Sequence, residues 1–123
     1  MSIIIHNIDE LVKQMKICDH EHKLMVIKAG ASWCGASRNI ETQFNSLSDY
    51  YKNFNFFEFN INEVPQLTTF FNIIKIPFFI CILPQKYKTI TYCDLRHNGG
   101  DADLLRKWLE TIHNKIQKKP HTK

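Results

Sequence analysis

The sequence lacks any run of apolar residues long enough to cross a membrane, since a spanning helix takes about 20 of them. Glycine and proline are scarce, with four of each in 123 residues. They form no stretch that resembles a linker, and the chain contains no internal repeats or low-complexity segments. The length falls in the ordinary range of one domain. These features predict a single domain over residues 1–123 that makes no contact with a membrane, with a polar, frayed tail from about residue 117.

Strong charge of one sign is also missing. The formal net charge is +4, from 16 basic and 12 acidic side chains. Several of the basic residues lie in residues 106–123, with no interleaved stripe of aromatic and basic side chains. The pattern favours a solvated face over nucleic-acid binding. Residues 1–6 lack the basic segment and the long apolar segment of a secretory signal, so we expect a cytoplasmic protein.

The six histidines show none of the spacings typical of metal ligands, and we expect neither a metal nor a cofactor. Cysteine is limited to four residues. In a cytoplasmic protein such cysteines are thiols rather than a disulfide framework. The chemistry that the composition leaves open is therefore that of a reactive thiol.

Cys34 is the cysteine in the most informative position. It lies in the stretch Ala31-Ser32-Trp33-Cys34-Gly35-Ala36-Ser37-Arg38, between a buried strand and a helix. A helix start favours negative charge, because its backbone N–H groups are unpaired and its dipole is positive there. We therefore expect a thiolate with a lowered pKa at Cys34. Ser37 stands where a second cysteine would complete Cys-x-x-Cys.

Hydrophobic periodicity predicts an alternating order of elements. The second strand is apolar almost without a break, which indicates burial on both faces. Asn7 or Asp9 can cap the first helix. The strands are predicted over residues 2–6, 24–30, 54–61, 78–83 and 87–95, and the helices over residues 8–18, 37–51, 65–74 and 101–116. The order β-α-β-α-β-α-β-β-α predicts an α/β fold with a mixed five-stranded sheet flanked by four helices.

The apolar faces of two helices follow from the same periodicity. These are Ile8, Leu11, Val12, Met15 and Cys18 in the first helix, and Leu67, Phe70, Phe71 and Ile74 in the third.

Residues 2–113 resemble the thioredoxin family. The resemblance rests on Trp33-Cys34-Gly35 after a buried strand, Asn60-Ile61-Asn62 at the end of the third strand, and Ile76-Pro77 before the fourth. It implies the thioredoxin fold. It also implies that Pro77 is cis and lies against the active cysteine, and that the backbone at Ile76 pairs with an extended substrate peptide.

The sequence departs from the family at four positions. The motif reads WCGAS instead of WCGPC, so Ala36 replaces the proline and Ser37 the second cysteine. Lys28 stands where many members carry a buried carboxylate, and Thr42 replaces the proline that kinks the second helix. If Lys28 points under the motif, its charge favours a thiolate at Cys34. Alternatively, it extends to solvent with its stem packed on the sheet.

Ser37 limits the chemistry. A disulfide reductase needs a first thiol to form a mixed disulfide and a second thiol to resolve it. A serine hydroxyl does not perform the second step at neutral pH. We therefore interpret the chain as a monothiol redox protein, with Cys34 as nucleophile and Ser37 as a thiolate stabiliser or, alternatively, a mere isostere. Its docking surface is predicted to consist of Trp33, Gly35, Ala36, Ile76 and Pro77.

Resolution by an internal thiol is disfavoured. Cys81 is expected in the core, Cys18 near the end of the first helix and Cys93 in the last strand, all away from Cys34. Glutathione or another external thiol is the better candidate. The expected partners are protein thiols or disulfides and glutathione, and the expected state is a monomer.

Two other functions stay open. One is a redox-inactive module that binds proteins through the same surface. The other is the iron–sulfur or glutathione binding of monothiol glutaredoxins, whose short Cys-Gly-x-Ser pattern fits residues 34–37. The tryptophan before the cysteine, Trp33, is instead typical of the thioredoxin family, and no glutathione-binding motif is evident.

Overall fold

The computed structural model describes residues 2–87 and 95–117. A five-stranded mixed sheet has the order β1-β3-β2-β4-β5. Strands β1, β2 and β3 run parallel, and β4 runs antiparallel to both β2 and β5. The predicted five-stranded mixed sheet is confirmed. The strands are β1 (Ile3–Ile4), β2 (Leu24–Gly30), β3 (Phe54–Asn60), β4 (Phe78–Ile82) and β5 (Arg96–Asn98).

Helices cover both faces of the sheet. Helices α3 and α5 pack on one face, around Phe44, Phe56 and Phe79. Helices α1 and α4 pack on the other, around Phe57. Every residue of β2 is buried, because β2 has a strand on each side and helices above and below. The helices are α1 (Ile8–Glu21), α2 (Gly35–Asn39), α3 (Glu41–Tyr50), α4 (Pro65–Phe70) and α5 (Ala102–Gln117), with a 3₁₀ turn at Gln85–Tyr87.

The helix predicted over residues 37–51 is broken in two, so α2 and α3 together form one of the four flanking helical units. At Ile40 the backbone has φ −83° and ψ −9°, whereas a regular helix has ψ near −42°. The break occurs although Thr42 replaces the family's proline. The Ile40 side chain is buried in the core at this break.

Helix α1 is longer than predicted. Its start at Asn7 is confirmed, because the Asn7 side chain accepts a hydrogen bond of 2.8 Å from the Glu10 N–H. It ends at His22, which adopts a left-handed conformation with φ 60°. Leu11 and Cys18 face the core, but Ile8 and Val12 are exposed, contrary to the prediction.

Helix α4 is shorter than predicted. The chain leaves the helix at Asn72, whose φ of 56° is incompatible with a continued right-handed helix. Leu67 and Phe71 are buried, as predicted. Phe70 and Ile74 are 66% and 86% exposed, so their predicted burial is wrong. Ile74 lies beyond the turn, where helical spacing no longer decides which face it shares with Leu67.

Within the described residues, the last strand differs from the predicted range of 87–95. Tyr87 belongs to the 3₁₀ turn, and the strand comprises Arg96–Asn98, paired with Phe78–Ile80 of β4. The rest of the predicted strand, residues 88–94 with Cys93, lies outside the described residues, as does the tail from residue 118. β5 is polar and lies at the sheet edge, so it carries no alternating apolar pattern.

The core makes a direct prediction about stability. Phe44 is fully buried against Phe56 and Phe79. We expect Phe44→Ala to lower the free energy of unfolding by about 3–5 kcal/mol, since it leaves a cavity. Phe70→Ala, the matched change at an exposed site, is expected to cost within about 0.5 kcal/mol. Urea unfolding followed by circular dichroism measures both, and equal losses would contradict the exposed position of Phe70.

Candidate active site

Cys34 connects the end of β2 to the start of α2. It is the N-cap residue of α2, with extended φ −93° and ψ 114°. Its N–H donates to the Ala31 carbonyl at 3.1 Å, and its carbonyl accepts from the Arg38 N–H at 3.1 Å. These bonds hold the backbone of Cys34 while its side chain stays partly exposed.

Ser37 lies one helical turn beyond Cys34 and is buried. Within the described residues its hydroxyl oxygen has no hydrogen-bond partner at normal distance and angle. Its hydroxyl is nonetheless the main group that lowers the pKa of the Cys34 thiol. The N–H groups of Ser37 and Ala36 and the charge of Arg38 lower that pKa further. The site therefore favours the thiolate of Cys34.

Two glycines that sequence reasoning did not single out allow the close packing around this turn. A Cβ on Gly30 would lie 3.1 Å from Ser37 Oγ and 3.2 Å from Ser37 Cβ. A Cβ on Gly100 would lie 3.2 Å from both Cβ and O of Ala36. A side chain at either position would thus require Ser37 or Ala36 to shift by a few tenths of an ångström. The only sequence signal was a glycine at the end of a buried strand and a Gly-Gly pair.

The loop before α5 connects the Cys34 turn to Ile76-Pro77. The Pro77 carbonyl accepts a hydrogen bond of 2.9 Å from the Gly99 N–H, and the next residue, Gly100, contacts Ala36. The Ile76–Pro77 peptide bond is cis. The structure therefore brings together two motifs that are far apart in the sequence.

The other predicted surface residues differ in exposure. Trp33 is 62% exposed, and Gly35 and Ala36 are also exposed. Ile76 is half-buried and Pro77 is buried. Apart from its chain neighbours and its own helix backbone, no atom of the described residues lies within 4 Å of the position that a Gly35 Cβ would occupy, so the space beside Cys34 is open on that side.

Lys28 lies inside the protein. Its side chain is 6% exposed, so the alternative in which it extends to solvent is wrong. Its Nζ lies 3.7 Å from Oε1 of Glu58 and 5.6 Å from the centre of the Phe44 ring. Lys28, Ser37 and Glu58 line the same cleft of about 330 Å³ beneath α2.

The family model described as Thioredoxin matches residues 5–109. This chain belongs to the thioredoxin family. Within the family, it is 36% identical to Thioredoxin H5 of Oryza sativa subsp. japonica over 97 residues, which cover 78% of this chain and 68% of that protein. It is 31% identical to Thioredoxin H2 of Arabidopsis thaliana over 61 residues, 50% of this chain. The latter match spans 46% of that relative's length, and a match to Thioredoxin-2 of Pyricularia oryzae spans 44%.

Solved thioredoxin structures share the fold. A poplar thioredoxin h superposes with a TM-score of 0.78 at 18% identity, covering 90% of this chain and 95% of that one. Fasciola hepatica thioredoxin gives a TM-score of 0.75 at 21% identity, covering 91% and 97%. The predicted thioredoxin fold is confirmed.

The other described cysteines of this thioredoxin-family protein are buried. Cys18 belongs to α1 and faces the core, and its sulfur accepts a hydrogen bond of 3.2 Å from Asn55 Nδ2. Burial raises the pKa of the Cys18 thiol. Cys81 lies in the opposite core. Among the described cysteines, Cys34 is therefore the one whose thiol is partly exposed and has a lowered pKa.

Two further properties concern only the described residues. None of their helices is long and apolar enough to cross a membrane. None of their histidine, cysteine, aspartate and glutamate side chains form a group of three that could hold a metal ion.

The contrast between the thiols is testable by alkylation. We expect iodoacetamide at pH 7 to modify Cys34 well before Cys18. The rate at Cys34 should level off below the ordinary cysteine pKa of about 8.5. Ser37→Ala should move that pH profile upward, because the variant loses the hydroxyl that favours the thiolate. Peptide mapping by mass spectrometry measures each cysteine separately.

Ser32→Ala is the matched control, since Ser32 is an exposed serine of the same turn. Its profile should equal that of the wild type. Equal profiles for wild type and Ser37→Ala would contradict the stabilising role of Ser37.

Proposed function

We propose that this chain is a monothiol redox protein, which forms mixed disulfides through Cys34 and does not resolve them itself. The observation that carries the proposal is the arrangement of Cys34 and Ser37. A partly exposed thiol with a lowered pKa lies at a helix start, and a buried hydroxyl occupies the position from which a second thiol would resolve the product. Attack on a disulfide is therefore supported, and internal resolution is not.

The reaction is a thiol–disulfide exchange. The Cys34 thiolate attacks one sulfur of a disulfide in a partner protein or in glutathione disulfide. A bond forms between Cys34 Sγ and that sulfur, the original S–S bond breaks, and the other sulfur leaves as a thiolate. A glutathione thiolate then attacks the Cys34 sulfur of the mixed disulfide, so that the partner's second sulfur leaves as a thiolate and glutathione stays bound to Cys34. A second glutathione thiolate attacks the glutathione sulfur of that adduct, which releases Cys34 as a thiolate and forms glutathione disulfide. Two electrons thus pass from two glutathione thiols to the partner disulfide.

The docking surface is the second part of the proposal. Trp33, Gly35 and Ala36 lie on the exposed side of the turn, and Ile76 and Pro77 are connected to it through Gly99-Gly100. An extended segment of the partner would pair with the backbone at Ile76 by strand addition. We further propose a monomer in the cytoplasm, a reducing compartment that supplies the external thiol.

A protein-binding module is the second candidate. The exposure of Trp33 and Ile74 favours it, because large apolar side chains on a surface are typical of interaction sites. In this case the same surface would bind partners without covalent chemistry. Cys34 would then be dispensable for binding.

A second thiol at residue 37 tests whether the serine limits the rate of disulfide reduction. We expect Ser37→Cys to reduce insulin disulfides about tenfold faster or more than the wild type, because it supplies the internal resolving thiol. Ser37→Ala, which lacks both the thiol and the hydroxyl, should stay at or below the wild-type rate. Turnover by the wild type equal to that of Ser37→Cys would refute the proposed role of the serine.

Trapping separates the two candidate functions. The wild type incubated with glutathione disulfide should gain a glutathione adduct at Cys34, visible by mass spectrometry and reversed by dithiothreitol. In a cell lysate it should retain partners through bonds that dithiothreitol breaks, and Cys34→Ser should lose both products. A Cys34→Ser variant that retains the same partners, together with a wild type that forms no adduct, would leave only the binding module.

A further inference from the structure

The hydrophobic core gives way to polar and charged residues beneath the turn that contains Cys34. On the sheet face that packs against α3, the side chains along β2 are Leu24, Val26 and Lys28, followed by Gly30. Their register partners on β3 are Phe54, Phe56, Glu58 and Asn60. Both rows are apolar at one end and polar where the strands reach α2. A charged pair therefore lies between the hydrophobic core and the turn that holds Cys34.

The two charges of this pair differ in their exposure. The side chain of Lys28 is 6% exposed and that of Glu58 is 23% exposed. Glu58 also accepts a hydrogen bond from the Ser2 hydroxyl. A charge is screened less where it is farther from water, so the ammonium acts more strongly on its surroundings than the carboxylate does. The cleft beneath α2 thus has positive character on the side of β2.

The side chains of Lys28 and Ser37 both lie close to Gly30. The position of a Gly30 Cβ lies 3.7 Å from Lys28 Cε and 3.1 Å from Ser37 Oγ. An ammonium carries three donors, and the one ion-pair partner of Lys28 in the described part of the chain, Glu58, is 3.7 Å away. The Ser37 oxygen is buried and has no partner within the described residues. Lys28 is therefore a cationic donor that lines the same cleft as an acceptor without a partner.

We propose that Lys28 is a positioning residue for the Cys34 thiolate and that it acts through the Ser37 hydroxyl. The Lys28 ammonium donates to Ser37 Oγ through one water in the cleft. This donation occupies an oxygen lone pair and directs the hydroxyl hydrogen to Cys34 Sγ. Each bond strengthens the next, because a donor that is itself polarised by a cation is a stronger donor. The inference rests on the proposed function and deepens it, since it names the groups that stabilise the Cys34 thiolate.

Other charged groups line the cleft from every side. They are Arg38 on α2, Glu41 on α3, and Glu58 and Glu63 on and after β3.

A double-mutant cycle tests the relay. The pH profile of iodoacetamide modification at Cys34 is measured for wild type, Lys28→Met, Ser37→Ala and the double variant. Lys28→Met should raise the pKa of Cys34 by about one unit, which means about a tenfold smaller thiolate fraction below that pKa. In the Ser37→Ala background the same change should have little further effect, because the relay is already broken.

Three controls make the result specific. Lys13→Met removes a lysine from the exposed side of α1, across the sheet from Cys34, and should leave the profile unchanged. Lys28→Arg keeps the charge and the donors and should largely restore the wild-type profile. Lys28→Met combined with Glu58→Gln removes both charges, and it replaces Lys28→Met if an unpaired Glu58 prevents folding.

Two outcomes would overturn the inference. One is an unchanged Cys34 profile in folded Lys28→Met. The other is an equal shift with and without the Ser37 hydroxyl, which would show that Lys28 acts through space alone. Alkylation requires no partner protein, so a failure of this inference is distinct from a failure to form mixed disulfides.

Discussion

The contact between Ser37 and Gly30 is the constraint on which the active site depends. A Cβ at residue 30 would lie within 3.2 Å of both Cβ and Oγ of Ser37, so the glycine lets α2 lie on the end of β2 without a shift of Ser37. This contact buries Ser37 and leaves Cys34, at the N-cap, facing outward. The same close packing places Ser37 beside Lys28 in the interior. The chemistry at the surface is thereby connected to a charge in the core.

The residue types at positions 28 and 37 are chemically consistent with one another. The chain resembles dithiol members of its family that carry a buried carboxylate at position 28, and that group can accept a proton from a second cysteine. In this chain Ser37 stands in place of the second cysteine, so there is no second thiol to release a proton. A cation at position 28 favours the negative charge of the single thiolate instead. Burying an ammonium is costly without a partner, and Glu58 provides that partner at the matching register position of β3.

Much of the fold was predictable because its signals are local or strongly periodic. β2 is apolar without interruption up to Lys28, and Asn7 is a standard helix cap. Other features depended on contacts that no local pattern encodes. Ile74 has helical spacing from Leu67 and Phe71, but Asn72 ends the helix before that spacing applies. Arg96–Asn98 is a strand because β4 offers an edge for pairing, although its sequence is polar.

The sequence by itself determined the family, the single thiol of the active motif and the absence of its resolving partner, because covalent chemistry depends on which residues are present. Only the tertiary structure decided where Lys28 points, because a lysine stem can follow the sheet outward or lie beneath a helix with similar local energy. It likewise decided that Ile76-Pro77 is connected to Cys34 through Gly99-Gly100, since that connection joins segments far apart in the chain. The reactive turn itself, Trp33 to Ser37, was evident from the sequence. The buried charge beneath it became evident only when β2, β3 and α2 were packed together.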